Sequence, residues 1–141
     1  MKYFTFLVFL LLLSCNKIED SNSLDHEDIR YIENLKLLGK GETIKKFYSV
    51  DENKVSGNFY TNRRVASYWI DRKNPKKNET YFAYYKEILK FDTVYNAGLT
   101  YSPYIIVTKT NGTSFKVFAD GSKEEIRAFF EGALTEWKKN K

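Results

Sequence analysis

Residues 122–137 read SKEEIRAFFEGALTEW and predict an amphipathic helix near the C-terminal end of the chain. Ser122 can cap this helix, and Glu125, three residues further on, completes a capping box. The apolar residues recur at helical spacing and form one wide stripe; they are Ile126, Phe129, Phe130, Ala133, Leu134 and Trp137. We therefore expect the helix to be buried along its length, with these side chains serving as packing residues.

The chain ahead of this helix is rich in strand-forming residues. Seven runs of Tyr, Phe, Val, Ile and Thr lie between Glu42 and Asp120 and are separated by turn residues, which is typical of a β-sheet. The predicted strands are residues 43–50, 56–61, 64–71, 79–87, 89–96, 103–110 and 113–119. Asn111 and Gly112 lie between the last two strands, and because both residues tolerate a positive φ, they predict a type I′ hairpin.

A shorter helix is predicted before the strands, over residues 25–38. Ile32, Leu35 and Leu38 would share one face, and Gly39 is placed to end the helix. We expect this face to pack on the domain or on a partner. Residues 25–141 are a usual size for a single domain with one core.

The first residues have the three parts of a secretory signal peptide, which we assign to residues 1–14. Lys2 is the positive start, residues 4–13 are the apolar run, and Ser14 is the small residue at the cleavage point. A transmembrane anchor is the alternative, but this run is too short for a hydrocarbon core that needs about 20 apolar residues. The polar residues 15–24 are predicted to form a flexible tether.

Residues 12–15, LLSC, resemble the end of a bacterial lipoprotein signal. The resemblance implies that Cys15 carries diacylglycerol, becomes the mature N-terminus and is acylated on its amine, with palmitate as an expected chain. Multiple acyl chains would hold the protein firmly on a membrane. In this family an aspartate after the cysteine favours the inner membrane, so Asn16 favours the outer membrane of the cell envelope.

Lipidation of Cys15 would leave the folded part without a thiol, because the chain has one cysteine. We therefore expect no disulfide, thiolate nucleophile or cysteine metal site. Charge is unevenly distributed: residues 15–33 carry two basic and six acidic residues, whereas residues 34–141 carry 20 basic and 12 acidic residues. The basic body would attract anionic surfaces, although a solvated tether and an ordinary soluble surface would explain the same charges.

Seven short strands followed by one amphipathic helix resemble a pleckstrin-homology-like domain. Gly57 to Val65, read GNFYTNRRV, is similar to the second strand, turn and third strand of bacterial members, as are Gly41-Glu42 before Ile44 and residues 47–49 in the first strand. The resemblance covers residues 41–138. It implies a seven-stranded split barrel of two nearly orthogonal antiparallel sheets, capped by the C-terminal helix, and it favours binding or oligomerisation over catalysis.

Phosphoinositide-binding members of that superfamily carry clustered basic residues around the loop between the first two strands. This chain has only Lys54 in that loop, so specific inositol-phosphate binding is not expected. The most basic loop is residues 71–79, and its candidate anion-binding side chains are Arg72, Lys73, Lys76 and Lys77. These side chains could meet lipid head groups, envelope sugar-phosphates or an acidic protein, or they could simply be solvated.

Tyrosines supply a second candidate site. Tyr81, Phe82, Tyr84 and Tyr85 place rings on both faces of one predicted strand. One face should be core, and the other would be covered by the first helix or exposed to a partner, because tyrosine is favoured at interfaces. The loop that contains Tyr101 could rim such a patch. The predicted partner surface comprises Tyr81, Tyr84, Tyr85 and Tyr101, although β-propensity alone also enriches tyrosine in strands.

Catalytic motifs are absent from the sequence. His26 is the only histidine and lies among acidic residues at the start of the first helix, where a solvated role is expected. No nucleophile elbow, phosphate-binding glycine loop or zinc-protease motif is present. We therefore expect neither an enzyme nor a cofactor, and no nucleic-acid partner for an exported protein.

Three functions remain open from the sequence. The favoured one is a membrane-anchored, non-enzymatic binding or assembly module whose partner is an envelope protein or a second copy of the chain. The second is a peripheral reader of anionic lipid or glycan that uses the basic loop. The third is a small-ligand carrier or enzyme built on a cone-shaped α+β fold with a curved sheet.

Overall fold

The computed structural model describes residues 18–141, which form two antiparallel β-sheets and two α-helices. The predicted signal peptide and Cys15 lie outside these residues. In chain order the elements are β1 (Ile18–Glu19), α1 (His26–Asn34), β2 (Ile44–Tyr48), β3 (Ser56–Thr61), β4 (Arg64–Trp69), β5 (Glu79–Tyr84), β6 (Ile88–Val94), β7 (Tyr104–Lys109), β8 (Ser114–Phe118) and α2 (Lys123–Asn140). Two short 3₁₀ turns, Pro75–Lys77 and Tyr85–Glu87, flank β5.

The strands form one five-stranded sheet, in the order β1-β2-β3-β4-β5, and one three-stranded sheet, in the order β6-β7-β8. All seven predicted strands are present as β2 to β8, but the expected total is wrong because the described residues contain eight strands. The extra strand pairs Ile18 with Tyr48 and Glu19 with Phe47. A two-residue strand carries no periodic pattern, and its pairing depends on the exposed edge of β2.

The sheets do not close into a barrel. The 3₁₀ turn Tyr85–Glu87 interrupts the chain between β5 and β6, so no strand is shared between the two sheets. Part of the predicted tether also packs on the domain, since β1 joins the sheet and Leu24 is buried.

The main core lies between the two sheets and is covered by α2. The Ser122 hydroxyl accepts a hydrogen bond from the Glu125 N–H, and the Glu125 carboxylate accepts one from the Ser122 N–H, which confirms the predicted capping box. Four of the predicted stripe residues are buried, and Leu134 and Trp137 are partly buried; the four are Ile126, Phe129, Phe130 and Ala133. α2 therefore seals one end of the space between the sheets.

A second core lies on the outer face of the five-stranded sheet, beneath α1. Ile32 of α1 packs there with Phe47, Phe59 and Tyr68 of the sheet. Because both faces of β3 are covered, all six of its residues are buried. Of the two expected neighbours of this helix face, the domain or a partner, the structure shows the domain.

α1 ends earlier than the sequence predicts. Lys36 takes a left-handed conformation with φ of 64°, its N–H donates to Glu33 O, and the Leu37 N–H donates to Ile32 O. This is a Schellman end with lysine at the position that usually holds glycine. The early turn brings Leu37 into the second core, so burial of that side chain decides the helix end rather than Gly39.

The last hairpin also differs from its prediction. Gly112 has φ of 86°, whereas Asn111 does not have a positive φ. The Gly112 N–H donates to Lys109 O, and the Lys109 N–H donates to Thr113 O. This pattern is a three-residue loop with a bulge at glycine rather than a type I′ turn.

Candidate functional site

The inner face of the five-stranded sheet has two ends with different surroundings. At the closed end, defined by α2 and the β3–β4 turn, Tyr85 is 1 % exposed and its hydroxyl donates to Thr61 O at 2.5 Å. Tyr60 packs edge-on against Phe129 there, and burial raises its pKa to about 12, with a smaller contribution from the charge of Glu136. These phenols are neutral core groups.

A buried ion pair fastens the outer side of the closed end. Arg64 donates from Nε to Glu42 Oε1 at 2.8 Å and from Nη2 to Oε2 at 2.7 Å. Thr61 and the Gly39 N–H also donate to this carboxylate. Burial by itself would raise the pKa of Glu42, but the hydrogen bonds and the charge of Arg64 outweigh it and lower that pKa.

The opposite end of the same face opens into a cavity of about 520 Å³, within the usual range for ligand sites. We call it the open-end cavity. One wall is the inner face of β3, β4 and β5, the other wall is β8, and the loop between β6 and β7 forms part of the rim. The lining residues are Val50, Ser56, Asn58, Ser67, Tyr68, Trp69, Glu79, Tyr81, Thr100, Tyr101, Ser102, Ser114, Phe115, Lys116 and Phe118.

Aromatic side chains line this cavity and its mouth. Trp69 is 46 % exposed, Tyr81 is 42 % exposed and Tyr101 is 70 % exposed. Tyr81 stacks on Phe115 across the gap between the sheets, with ring centroids 5.8 Å apart. The cavity thus has an apolar base beside rings that remain accessible.

Polar groups form the sheet wall of the cavity. The Asn58 Oδ1 accepts a hydrogen bond from the Phe118 N–H at 2.9 Å, which links β3 to β8. Ser56 contacts the Ser49 hydroxyl and accepts from the Val50 N–H. Ser67 is only 7 % exposed and also lines the cavity. These groups could orient the backbone or a polar atom of an occupant.

Tyr68 lies behind this wall and is structural. Its hydroxyl donates to Asn53 O, and its ring packs edge-on against Tyr31 of α1. Burial, with smaller effects from Tyr31 and Asp28, raises the pKa of Tyr68 well above its ordinary value. The phenol therefore stays neutral.

The predicted basic loop lies at the open end. It joins Trp69, at the end of β4, to Glu79, at the start of β5, and both of these residues line the cavity. The Arg72 guanidinium pairs with Glu52 at 2.5 Å. The three lysines are exposed, and no ion pair involving them is found within residues 18–141; they are Lys73, Lys76 and Lys77.

The predicted tyrosine surface is divided by the fold. Tyr81 and Tyr101 meet at the open-end cavity. Tyr84 is half-buried on the outer face, where the Arg64 guanidinium lies 4.7 Å from its ring centre. Placing Tyr85 on an exposed surface is wrong, because the chain beyond β5 carries this ring into the core at the closed end.

The sequence did not single out Trp69, Asn58 or Lys116. Each lies in a correctly predicted strand, but strand periodicity does not separate a residue that lines a cavity from one that fills a core.

Two further features concern chemistry and membranes. Residues 18–141 contain no group of three or more His, Cys, Asp or Glu side chains placed to hold a metal ion. His26 is exposed in the first turn of α1.

Within residues 18–141, neither helix has the length and hydropathy needed to span a bilayer.

Comparison with solved structures identifies a similar fold. The crystal structure of a DUF1696 family protein with a pleckstrin-homology domain, from Shewanella loihica PV-4, matches with a TM-score of 0.55 at 12% identity, over 89% of this chain and 97% of that chain. No protein-family model matches the sequence. No curated protein matches it either. The likeness shows the fold: the described domain is pleckstrin-homology-like, with two sheets and a C-terminal helix, rather than the alternative cone with one curved sheet.

Proposed function

We propose that this chain is a non-enzymatic binding module, held at the cell envelope by a lipid on Cys15, and that its open-end cavity receives a protein partner. The observation that carries the proposal is the contrast within one sheet face: α2 seals one end, whereas the other end keeps a cavity of about 520 Å³. Exposed Trp69, Tyr81 and Tyr101 stand at this cavity. Tryptophan and tyrosine are the side chains that most often dominate protein interfaces.

The anchor would hold the domain close to the membrane. Only two residues separate Cys15 from β1, so a fully extended chain would span at most about 10 Å. Replacing the cysteine, as Cys15→Ala, should move the protein from the membrane fraction to the soluble fraction. Equal membrane retention of the two forms would contradict the anchoring proposal.

A photo-cross-linking residue in place of Tyr101 tests the binding proposal in cells. Leu89 supplies the matched control, because it is 63 % exposed but lies on β6, outside the cavity. We expect a reproducible protein adduct from position 101 and none of the same mass from position 89. Equal adducts from both positions, or none from either, would contradict a partner at the open end.

A second candidate, a reader of anionic lipid, is favoured by the place where the leader joins the sheet. Ile18 pairs with Tyr48, the last residue of β2, which lies at the same sheet end as the basic loop. A lipid on Cys15 would therefore bring that end near the bilayer. The exposed side chains of Lys73, Lys76 and Lys77 would then meet the head groups, where each contributes about 1 kcal/mol of attraction.

Charge reversal separates this candidate from the first. Lys73, Lys76 and Lys77 are changed together to Glu, and binding to phosphatidylglycerol vesicles in low salt is measured by co-sedimentation. The control reverses Lys86, Lys138 and Lys139, which are equally exposed but lie at the closed end. Loss of binding only for the loop variant supports a lipid reader, and equal binding by both variants removes it.

A further inference from the structure

The free edge of β8 runs along the open-end cavity. β8 lies at one side of its sheet and, within the described residues, pairs with β7 alone. The cavity is lined by four of its five residues, Ser114, Phe115, Lys116 and Phe118, whose side chains alternate between the two faces of the sheet. Ser114, Lys116 and Phe118 lie on one face of β8, and Phe115 lies on the other. Because the cavity contacts both faces of this strand, it must pass along the free edge of the strand.

The alternation of hydrogen bonds along β8 identifies which of its backbone groups point away from β7. The Ala119 N–H donates to Pro103 O at 3.1 Å, and the Lys109 N–H donates to Thr113 O at 2.8 Å, so the odd-numbered residues of this segment face β7. The Phe118 N–H instead donates to the Asn58 side chain. Because antiparallel strands alternate in this way, the N–H and C=O groups of Lys116 and Ser114 also point away from β7.

Asn58 already acts as a one-residue partner for this edge. Its side-chain oxygen takes the place that a neighbouring strand carbonyl would occupy beside Phe118. The next edge groups belong to Lys116 and Ser114, which line the same cavity as Tyr81 and Tyr101. An extended segment placed here would continue the ladder that Asn58 begins, and its alternate side chains would face the aromatic rings.

The basic side chains near this edge favour an acidic occupant. The described residues 18–141 carry a net charge of +3, from 21 basic and 18 acidic residues. Lys116 lies on the edge itself, and Lys73, Lys76 and Lys77 stand exposed in the adjoining basic loop, against the single carboxylate of Glu79 in the lining. Complementary charge speeds encounter and suppresses wrong partners.

We propose that the free edge of β8 binds an acidic, extended segment of a partner protein by β-strand addition. This inference rests on the proposed function, for which it names the binding mode and the chemistry of the partner. Main-chain hydrogen bonds to Lys116 and Ser114 would supply affinity, and the aromatic cavity would select alternate side chains.

Peptide display on the full chain in detergent micelles tests the occupant. A random library of ten-residue peptides is the probe, and enriched sequences should carry acidic residues in alternation with apolar ones. An absence of enrichment, or enrichment of basic peptides, would overturn the inference. A concentration-dependent dimer in sedimentation that Lys116→Pro abolishes would overturn it in favour of a second copy of the chain.

Alternate N-methylation of an enriched peptide tests strand addition without altering the protein. Methyl groups on every second amide block one edge of the peptide, and shifting them by one residue blocks the other edge. Only one of the two methylated forms should weaken binding, by about tenfold or more, because a few hydrogen bonds are lost. Equal affinity of the two forms would overturn strand addition.

Variants at Lys116 place the contact on β8. Lys116→Pro removes the edge N–H but leaves the β7 ladder intact, since that N–H points away from β7. Lys116→Ala keeps the N–H and removes the charge. We expect Lys116→Pro to weaken peptide binding more than Lys116→Ala does, and equal binding by a folded Lys116→Pro chain would overturn the assignment. Photo-cross-linking at position 101 can then be repeated in cells that express the Lys116→Pro chain. If a partner is still captured there while peptide binding is unchanged, strand addition fails but the proposed binding function stands.

Discussion

The two ends of the inner face of the five-stranded sheet differ in what covers them. At the closed end, Tyr60 and Tyr85 are buried against α2, and the Glu42–Arg64 pair fastens the other side of the sheet. At the open end, Tyr81 and Trp69 occupy the same face with a cavity in front of them. Similar residue types therefore serve stability at one end and remain available for recognition at the other.

The largest effect is expected from emptying the closed end. Phe129 is fully buried and contacts Tyr60 and Phe130. Phe129→Ala should lower the free energy of unfolding by about 3–5 kcal/mol, because it removes a buried ring and leaves a cavity. Urea denaturation followed by circular dichroism measures the change.

Tyr101→Ala is the control at the open end, since it also removes an aromatic ring. Its side chain is 70 % exposed, so its effect should stay within about 0.5 kcal/mol. If Phe129→Ala and Tyr101→Ala lowered the free energy of unfolding by similar amounts, the two ends would not differ in their contribution to stability.

Acid should weaken the closed end through Glu42. Its pKa in the folded state lies below the ordinary value of 4.5, so its contribution is fully present above about pH 4.5 and is lost as the pH falls through the lower, folded pKa. Glu42→Gln should flatten the dependence of unfolding free energy on pH below 4.5. At neutral pH it should cost about 3–5 kcal/mol, because Arg64 is left buried without its partner charge.

Glu131→Gln provides the control for the loss of one carboxylate, because Glu131 is exposed on α2. A Glu42→Gln protein whose stability falls as steeply in acid as that of the wild type would show that this pair does not govern the acid response.

Gly132→Ala tests how closely α2 seals the face. Alanine normally stabilises a helix interior relative to glycine by about 1 kcal/mol. Here a methyl group would overlap the Tyr60 hydroxyl, so we expect a loss of about 1–3 kcal/mol instead. Thermal or chemical unfolding of the purified protein measures the sign.

Tyr60→Phe should rescue this variant, because it removes the overlapping oxygen atom. The double variant should therefore be more stable than Gly132→Ala alone, as a double-mutant cycle would record. Strict additivity of the two changes would mean that α2 does not contact Tyr60 as closely as described.

The smallest stability effect is expected at the mouth of the open end. Trp69 is 46 % exposed, so Trp69→Ser should change the unfolding free energy by about 0.5 kcal/mol or less. It should nevertheless reduce the cross-linking of a partner at position 101. A large loss of stability with unchanged cross-linking would reverse the roles of the two ends.

Local patterns predicted much of this fold. The apolar stripe from Ile126 to Trp137 and the Ser122–Glu125 capping box depend only on residues three and four positions apart. The sequence therefore predicted α2 without knowledge of the rest of the fold. The strands β2 to β8 likewise follow from runs of strand-forming residues bounded by turns. The order of these strands and α2 carried the resemblance to a pleckstrin-homology-like domain, and the similar solved structure supports that fold.

Features set by distant contacts were missed. β1 needs the edge of β2, and the end of α1 at Lys36 needs the core that receives Leu37. In each case a local preference was compatible with more than one outcome, and packing elsewhere selected between them.

Tyr81 and Tyr85 show most clearly where sequence information ends. Their spacing along one strand region predicted aromatic rings there, and the sequence alone also defined the helix that would cover part of the sheet. Only the tertiary structure decided that α2 covers Tyr85 and leaves Tyr81 beside the free edge of β8. The physical reason is that burial depends on which distant element packs against a position, and residues with the same local pattern meet different neighbours.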